Sequence, residues 1–331
     1  MKNNKMLKAL AVICAVILFA AAGMQLAPFA YAEQYHVGDA EISAVPKNLE
    51  INWTSGTVHI AYHSKGTVII SEKTSGAISE NMRMRWRMEG DTLRIEFNEP
   101  GFHLFSFSTQ KKELTVTLPK GHTLEKANIH TTSGDQDIPA LYADSVKLES
   151  TSGDIRAVVH ARTVKGEMTS GNMELQVMSE AKEIRIGSTS GDIVLETAFP
   201  AEKIKISSTS GSIRAAVKES GEFKAGSTSG AIHAVLGSAK KAEIESTSGK
   251  ATVEIDCMET LKISTTSGGV NAYLPAVPGF TAKIGTASGR IEQQLPMTKQ
   301  GKTYVSGDGS GSVEIKSTSG NITISAKEKG E

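Results

Sequence analysis

Cysteine is almost missing from this chain: Cys14 and Cys257 are the only two in 331 residues. Cys14 lies inside an uncharged N-terminal run, so no intramolecular disulfide can staple the remainder. Neither sign of charge dominates, with 36 basic and 36 acidic residues, and a near-neutral chain has no field with which to hold nucleic acid. The eight histidines are scattered without metal-ligand spacing, and no Gly-x-Ser-x-Gly elbow is present. No catalytic, cofactor-binding or metal-binding residues are expected, and Cys257, beside Ile255, is expected to be a partly buried thiol.

Long hydrophobic runs are also absent, with one exception. Residues 9–24 carry no charge, follow Lys2, Lys5 and Lys8, and lead to Ala30-Tyr31-Ala32, a small-x-small cleavage site. Residues 1–32 are therefore expected to be a signal peptide or an N-terminal membrane anchor, and the rest of the chain to be exported. Without them the chain holds 33 basic against 36 acidic residues, a net −3.

What the sequence has in abundance is Thr-Ser-Gly. Its glycines are Gly56, Gly76, Gly134, Gly153, Gly171, Gly191, Gly211, Gly230, Gly249, Gly268 and Gly320, with looser copies ending at Gly289 and Gly311. From Gly134 to Gly268 the steps are 18 to 20 residues, and a fixed period of that size signals a repeat architecture. With each Gly as position zero, apolar residues recur at −7, −5, +2 and +4, as in Ile184, Ile186, Ile193 and Leu195. That is period-two patterning on both sides of a turn. One such unit cannot bury its own apolar stripe, but coils stacked as parallel strands can. The expected fold is all-β: a single-stranded parallel β-solenoid (β-helix), right-handed by the usual crossover rule, of ~19-residue coils with Thr-Ser-Gly corners. Gly would serve the corner by adopting positive φ, and the Ser at −1 would hydrogen-bond backbone groups left unpaired there. About fifteen coils would make a stack roughly 70 Å long.

Residues 33–131 form an irregular part, 132–326 the regular solenoid and 327–331 a polar tail. The gap from Gly76 to Gly134 is close to three further coils with degenerate motifs. Counting back from Leu118 in the run Glu113-Leu114-Thr115-Val116-Thr117-Leu118-Pro119 puts position zero of one of them at Lys112.

The Ile51-Asn52-Trp53-Thr54-Ser55-Gly56-Thr57-Val58 stretch, the Leu-Thr-Val-Thr-Leu-Pro strand and the serial Thr-Ser-Gly-Asp-Ile units resemble the bacterial putative-adhesin family, a β-strand repeat-containing domain of unknown function. The resemblance covers residues 40–326 and implies an extracytoplasmic β-solenoid with no established enzymatic activity, whose relatives include membrane-anchored envelope-stress proteins. It supplies no functional residues to carry over.

Two local features invite a functional reading. Met82-Arg83-Met84-Arg85-Trp86-Arg87-Met88 alternates, so as a strand it would set Arg83, Arg85 and Arg87 on one solvated face, able to hold an anionic polymer. The densest aromatic cluster, residues 101–107, suits an exposed contact loop or a cap over the solenoid end. Asp135, Asp154 and Asp192 follow the motif Gly, but without the repeated carboxylate and glycine-rich nonapeptides of a calcium-binding β-roll. The sequence thus leads to a non-catalytic envelope protein binding a cell-wall polymer, anionic lipid or an envelope protein, with membrane association through the N-terminal segment. The alternatives are a self-associating scaffold of the envelope, or a β-helix polysaccharide lyase or hydrolase.

Overall fold

Alternating aliphatic residues make strands, and strand is the dominant element among the described residues. The structure, a computed structural model, describes residues 35–99, 111–277 and 279–327. Among these are 26 strands and one short 3-10 turn, Glu80–Met82. The expected signal or anchor (1–32), the aromatic cluster (101–107) and most of the polar tail lie outside the described residues.

Through the middle of the chain each strand pairs in parallel with the strand one repeat later. Ile193, Ile213, Ile232 and Ala251 are successive partners at +2, and Ile186, Ile206, Ala225 and Ile244 are successive partners at −5. All eight are buried, so the period-two columns do form the core of a solenoid-like stack.

Why position zero is glycine differs from expectation. Of the corner glycines only Gly56 and Gly171 have positive φ, at 101° and 100°. The common constraint is contact between coils. A Cβ on Gly211 would lie 2.0 Å from Gly191 O, and one on Gly230 2.0 Å from Gly211 O. The same contact recurs along the whole column, so the coils close to backbone van der Waals distance only if no side chain stands there.

The corner hydroxyl also sits elsewhere. Residues at −3, not −1, cap the turn: Ser227 Oγ accepts from Gly230 N–H at 2.9 Å, and Ser188 Oγ from Gly191 N–H at 2.9 Å. Ser150 Oγ both accepts from Gly153 N–H and donates to Gly153 C=O, at 2.9 and 2.8 Å. The Ser at −1 is exposed; its N–H donates to the −2 carbonyl of the preceding coil, as from Ser229 to Thr209 at 2.9 Å.

The corner column runs Lys112, Gly56, Gly134 through Gly268, then Gly320 and Gly289. That order is not chain order. At one end, strand Asn48–Trp53 lies between Thr92–Glu96 and Leu124–Thr131. At the other, Gly311–Ser317 lies between Ala251–Thr265 and Phe280–Thr286. The first and last coils in sequence are thus each second from an end. The column holds twelve corners rather than about fifteen, roughly 50 Å of stacked strands. Two motif copies fall outside it. Gly76 follows strand Val68–Thr74, which runs antiparallel to Lys112–Pro119, and Gly311 opens a strand instead of a corner. The Gly76–Gly134 gap therefore contributes one coil, not three.

Lys112 does occupy position zero of that coil, opposite Gly56. Its ammonium is fully buried with Glu72, 2.5 Å from Glu72 Oε1, and it donates to Met82 O at 2.8 Å and to Phe97 O. It lies over the Phe97 ring at 3.9 Å and the Trp53 ring at 5.0 Å. Burial draws its pKa below the usual lysine value, against the opposing pull of Glu72.

Candidate functional site

Outward positions −6, −4 and −2 alternate with the buried −7, −5 and −3, so each makes a surface column along the stack. Column −6 contains Lys147, Lys165, Arg185, Lys205 and Lys224 as consecutive parallel partners. Five cations therefore follow one another at the strand spacing, about 4.8 Å. Farther along, the same column alternates: Lys224, Glu243, Lys262, Glu314. Unit charges 4.8 Å apart repel by about 1 kcal/mol even in bulk water, so the unbroken run works against stability, while the alternating part favours it.

Partial compensation comes from carboxylates on the same strand for three of the cations and on the neighbouring strand for Lys224. Lys147 meets Glu149 at 2.7 Å, Lys165 meets Glu167 at 2.9 Å and Arg185 meets Glu183 at 2.7 Å. Lys224 reaches Glu243 at 3.1 Å and Glu245 at 3.7 Å. Burial lowers the Lys224 pKa, and the Glu243 hydrogen bond and both carboxylates more than reverse that, leaving it raised. Glu243 itself is held down to about 2, first by the hydrogen bond from Lys262 and then by Lys224, against the opposing effect of burial. Lys205, exposed between Arg185 and Lys224, makes no ion pair among the described residues.

Beside Arg185, Lys205 and Lys224, column −4 holds Gly187, Ser207 and Gly226. Unlike the corner glycines, these two have space: a Cβ on Gly187 would meet nothing nearer than 3.7 Å, and one on Gly226 nothing nearer than 3.9 Å. A strand glycine costs about 0.5–1 kcal/mol relative to alanine, and packing does not require one here. Across this small-residue floor stand the −2 threonines, Thr189, Thr209 and Thr228. The result is a shallow furrow, cationic on one wall and hydroxyl-bearing on the other. Aligning the repeats at −6 and −4 together displays it in the sequence.

The three arginines singled out from sequence do not form an open face. Arg83 precedes strand Arg85–Glu89, and its guanidinium lies where a Cβ on Gly38 would be, 2.3 Å from Nη2. Arg85 and Arg87 are each only 8% exposed. Arg85 donates to Glu80 O at 3.0 Å and lies 3.7 Å from Glu99, and Arg87 meets Glu89 at 3.2 Å. The strand is covered on both faces: Arg85 and Arg87 are buried on one, and on the other Met84 just before it is buried and Trp86 stacks on His36 at 4.4 Å. Antiparallel pairing against Thr92–Glu96 draws this segment into the end of the stack instead of leaving it as a solvated outer strand.

The aspartates after the motif Gly have a structural use. Asp135 Oδ1 accepts from Asp154 N–H at 2.9 Å, Asp154 Oδ1 from Asn172 N–H at 2.8 Å, and Asp192 Oδ1 from Ser212 N–H at 2.8 Å. Each thus ties its corner to the next coil. Among the described residues no group of three His, Cys, Asp or Glu side chains is placed to hold a metal. Cys257 is exposed, not partly buried, because it lies one residue before the inward Met258.

Solved structures similar to this chain include the following three. One, described as a putative cell adhesion protein from Clostridium sporogenes, is 14% identical over 89% of this chain and 99% of that one, with a TM-score of 0.20. A putative lipid binding protein from Parabacteroides distasonis is 14% identical over 87% of this chain and 96% of its own, with a TM-score of 0.45. A putative adhesin from Bacteroides fragilis is 12% identical over 89% and 98%, with a TM-score of 0.33. No curated protein matches the chain. The profile of the Toastrack DUF4097 family matches residues 46–255 and again 161–325, which together take in every coil of the stack. This chain belongs to the Toastrack DUF4097 family.

Proposed function

We propose that the protein is a non-catalytic, exported binding element of the cell envelope that holds a linear anionic polymer along the Arg185–Lys205–Lys224 furrow. In this reading the stack is a right-handed β-solenoid whose regular coil spacing presents charges at a fixed repeat. Residues 1–32 serve as signal or anchor and set it outside the cytoplasmic membrane.

The observation that carries the proposal is the pair Gly187 and Gly226 beside the cations. Both glycines lie where a side chain would fit, and both open the floor next to stacked positive charge. A chain with charges along its length gains from several cations in line, while each contact alone is weak and screened by salt. Lys and Arg side chains of this kind bind phosphate or carboxylate groups, and the threonine wall offers further donors.

The test is co-sedimentation of the full chain with purified cell wall and, separately, with anionic liposomes, at low and high salt. Salt-sensitive retention by wall, abolished in Arg185→Glu/Lys205→Glu and weakened in Gly226→Val, is the expected result. Retention by liposomes alone would replace the polymer with a lipid surface. Retention by neither, with a folded protein, would end the reading.

A further inference from the structure

The two ends of the stack are finished differently. At the Lys112 end, antiparallel strands cover both outermost segments: Arg85–Glu89 pairs along Thr92–Glu96, and Val68–Thr74 along Lys112–Pro119. The inner residues there, Ile95 and Leu114, are fully buried. At the Gly289 end, strand Thr303–Ser306 covers only Phe280–Ala282, and Ile291–Gln293 has a partner on one side alone among the described residues. Ile291 occupies the inward +2 position yet is 37% exposed, whereas its neighbour in the next coil, Ile322, is fully buried.

The direction of the free backbone groups follows from the ladder. Ile322 N–H donates to Arg290 C=O at 2.9 Å, and Gln294 N–H donates to Ile324 C=O at 2.8 Å. The bonds to the inner neighbour therefore use the even-numbered residues. The N–H and C=O of Ile291 and Gln293 point away from the stack, an unpaired edge of the kind that recruits another strand.

We infer that this edge pairs with the same edge of a second copy of the chain, antiparallel, about a two-fold axis at Ile291. The sequence Arg290-Ile291-Glu292 is self-complementary in that register. Ile291 would exchange both backbone hydrogen bonds with its symmetry mate, Arg290 would stand across from Glu292 of the other copy, and the two exposed isoleucines would meet. The contact is isologous and uses up the Ile291 edge of each copy, so stacking closes at two copies and does not run on into a fibre. Two furrows would then lie on one rod, and a polymer long enough to reach both would be held with avidity; this consequence alone depends on the proposed function.

Sedimentation velocity of the full chain in mild detergent, over a wide range of concentration, tests the inference. A mass rising from one chain to two is expected. Ile291→Pro, which removes an outward N–H and leaves the bonds to the inner strand, should keep the protein monomeric and folded by circular dichroism. Arg290→Glu alone should weaken the dimer at least tenfold, and adding Glu292→Arg should restore it, because the exchange re-forms the opposed pairs. A single-chain mass at every concentration, or a dimer indifferent to all three variants, would overturn the proposal and leave the edge to a different partner.

Discussion

The closed and the open end of the stack answer the same need with opposite results. Each has its sequence-terminal coil tucked one place inward, so the chain must double back to build the outermost coil. At the closed end the returning chain supplies two antiparallel covers and buries an ion pair, Lys112 with Glu72, among Trp53 and Phe97. At the open end it supplies one short cover, and the core residues Ile284 and Ile291 stay partly in water. A solenoid core is continuous in one direction only, so its ends must be capped by something other than another coil. This chain covers both outermost segments at one end, and the edge left at the other is a surface.

The largest way to break that contrast is at Lys112. Lys112→Ala leaves Glu72 buried without its cation and should cost about 3–5 kcal/mol in urea unfolding. Lys112→Met with Glu72→Leu should recover much of that loss, whereas Lys283→Ala in the exposed end coil should change stability by less than about 0.5 kcal/mol.

A second comparison uses glycines. Gly211→Ala, mid-stack, forces a Cβ to within 2.0 Å of Gly191 O and should cost about 3 kcal/mol. Gly285→Ala, in the end strand, meets nothing within 4 Å and should be neutral or stabilising by up to about 1 kcal/mol, as thermal unfolding would show.

Corner caps should grade the same way. Ser227→Ala removes a buried cap and should cost about 1 kcal/mol, while Ser229→Ala, at the exposed −1 position, should be silent. Thr286 caps Gly289 at 3.0 Å in the open end, where water can replace it, so Thr286→Ala should cost less than Ser227→Ala.

The smallest effect is a pH dependence in the alternating part of column −6. Glu243 titrates near 2 when folded, below the ordinary carboxylate value of 4.5, so its contribution is complete above 4.5 and is lost as the pH falls through 2. Glu243→Gln should flatten the acid side of the stability profile by about 1 kcal/mol or less, measured by urea unfolding from pH 5 down to pH 2.

Legibility in the sequence followed the range of the interactions. The columns Ile184, Ile186, Ile193 and Leu195 and the assignment of Lys112 to position zero were readable, because alternation and period are local properties repeated many times. The furrow was present in the repeats as Arg185, Lys205, Lys224, Gly187 and Gly226, but it becomes a site only when outward positions are compared across coils. The closed end was not readable. Nothing local to Arg85 or Arg87 shows that a strand forty residues after Asn48–Trp53 will pair back against it and draw both arginines inside.

The sequence by itself determined the coil length, the buried columns and the corner, since each is set by side-chain size and alternation within one repeat. Only the tertiary structure decided the order of the coils at the two ends, which motif copies are corners, and which charges are buried. Those depend on pairing between distant segments of nearly identical pattern, where local preference is the same for every candidate partner and the closure of the ends selects among them.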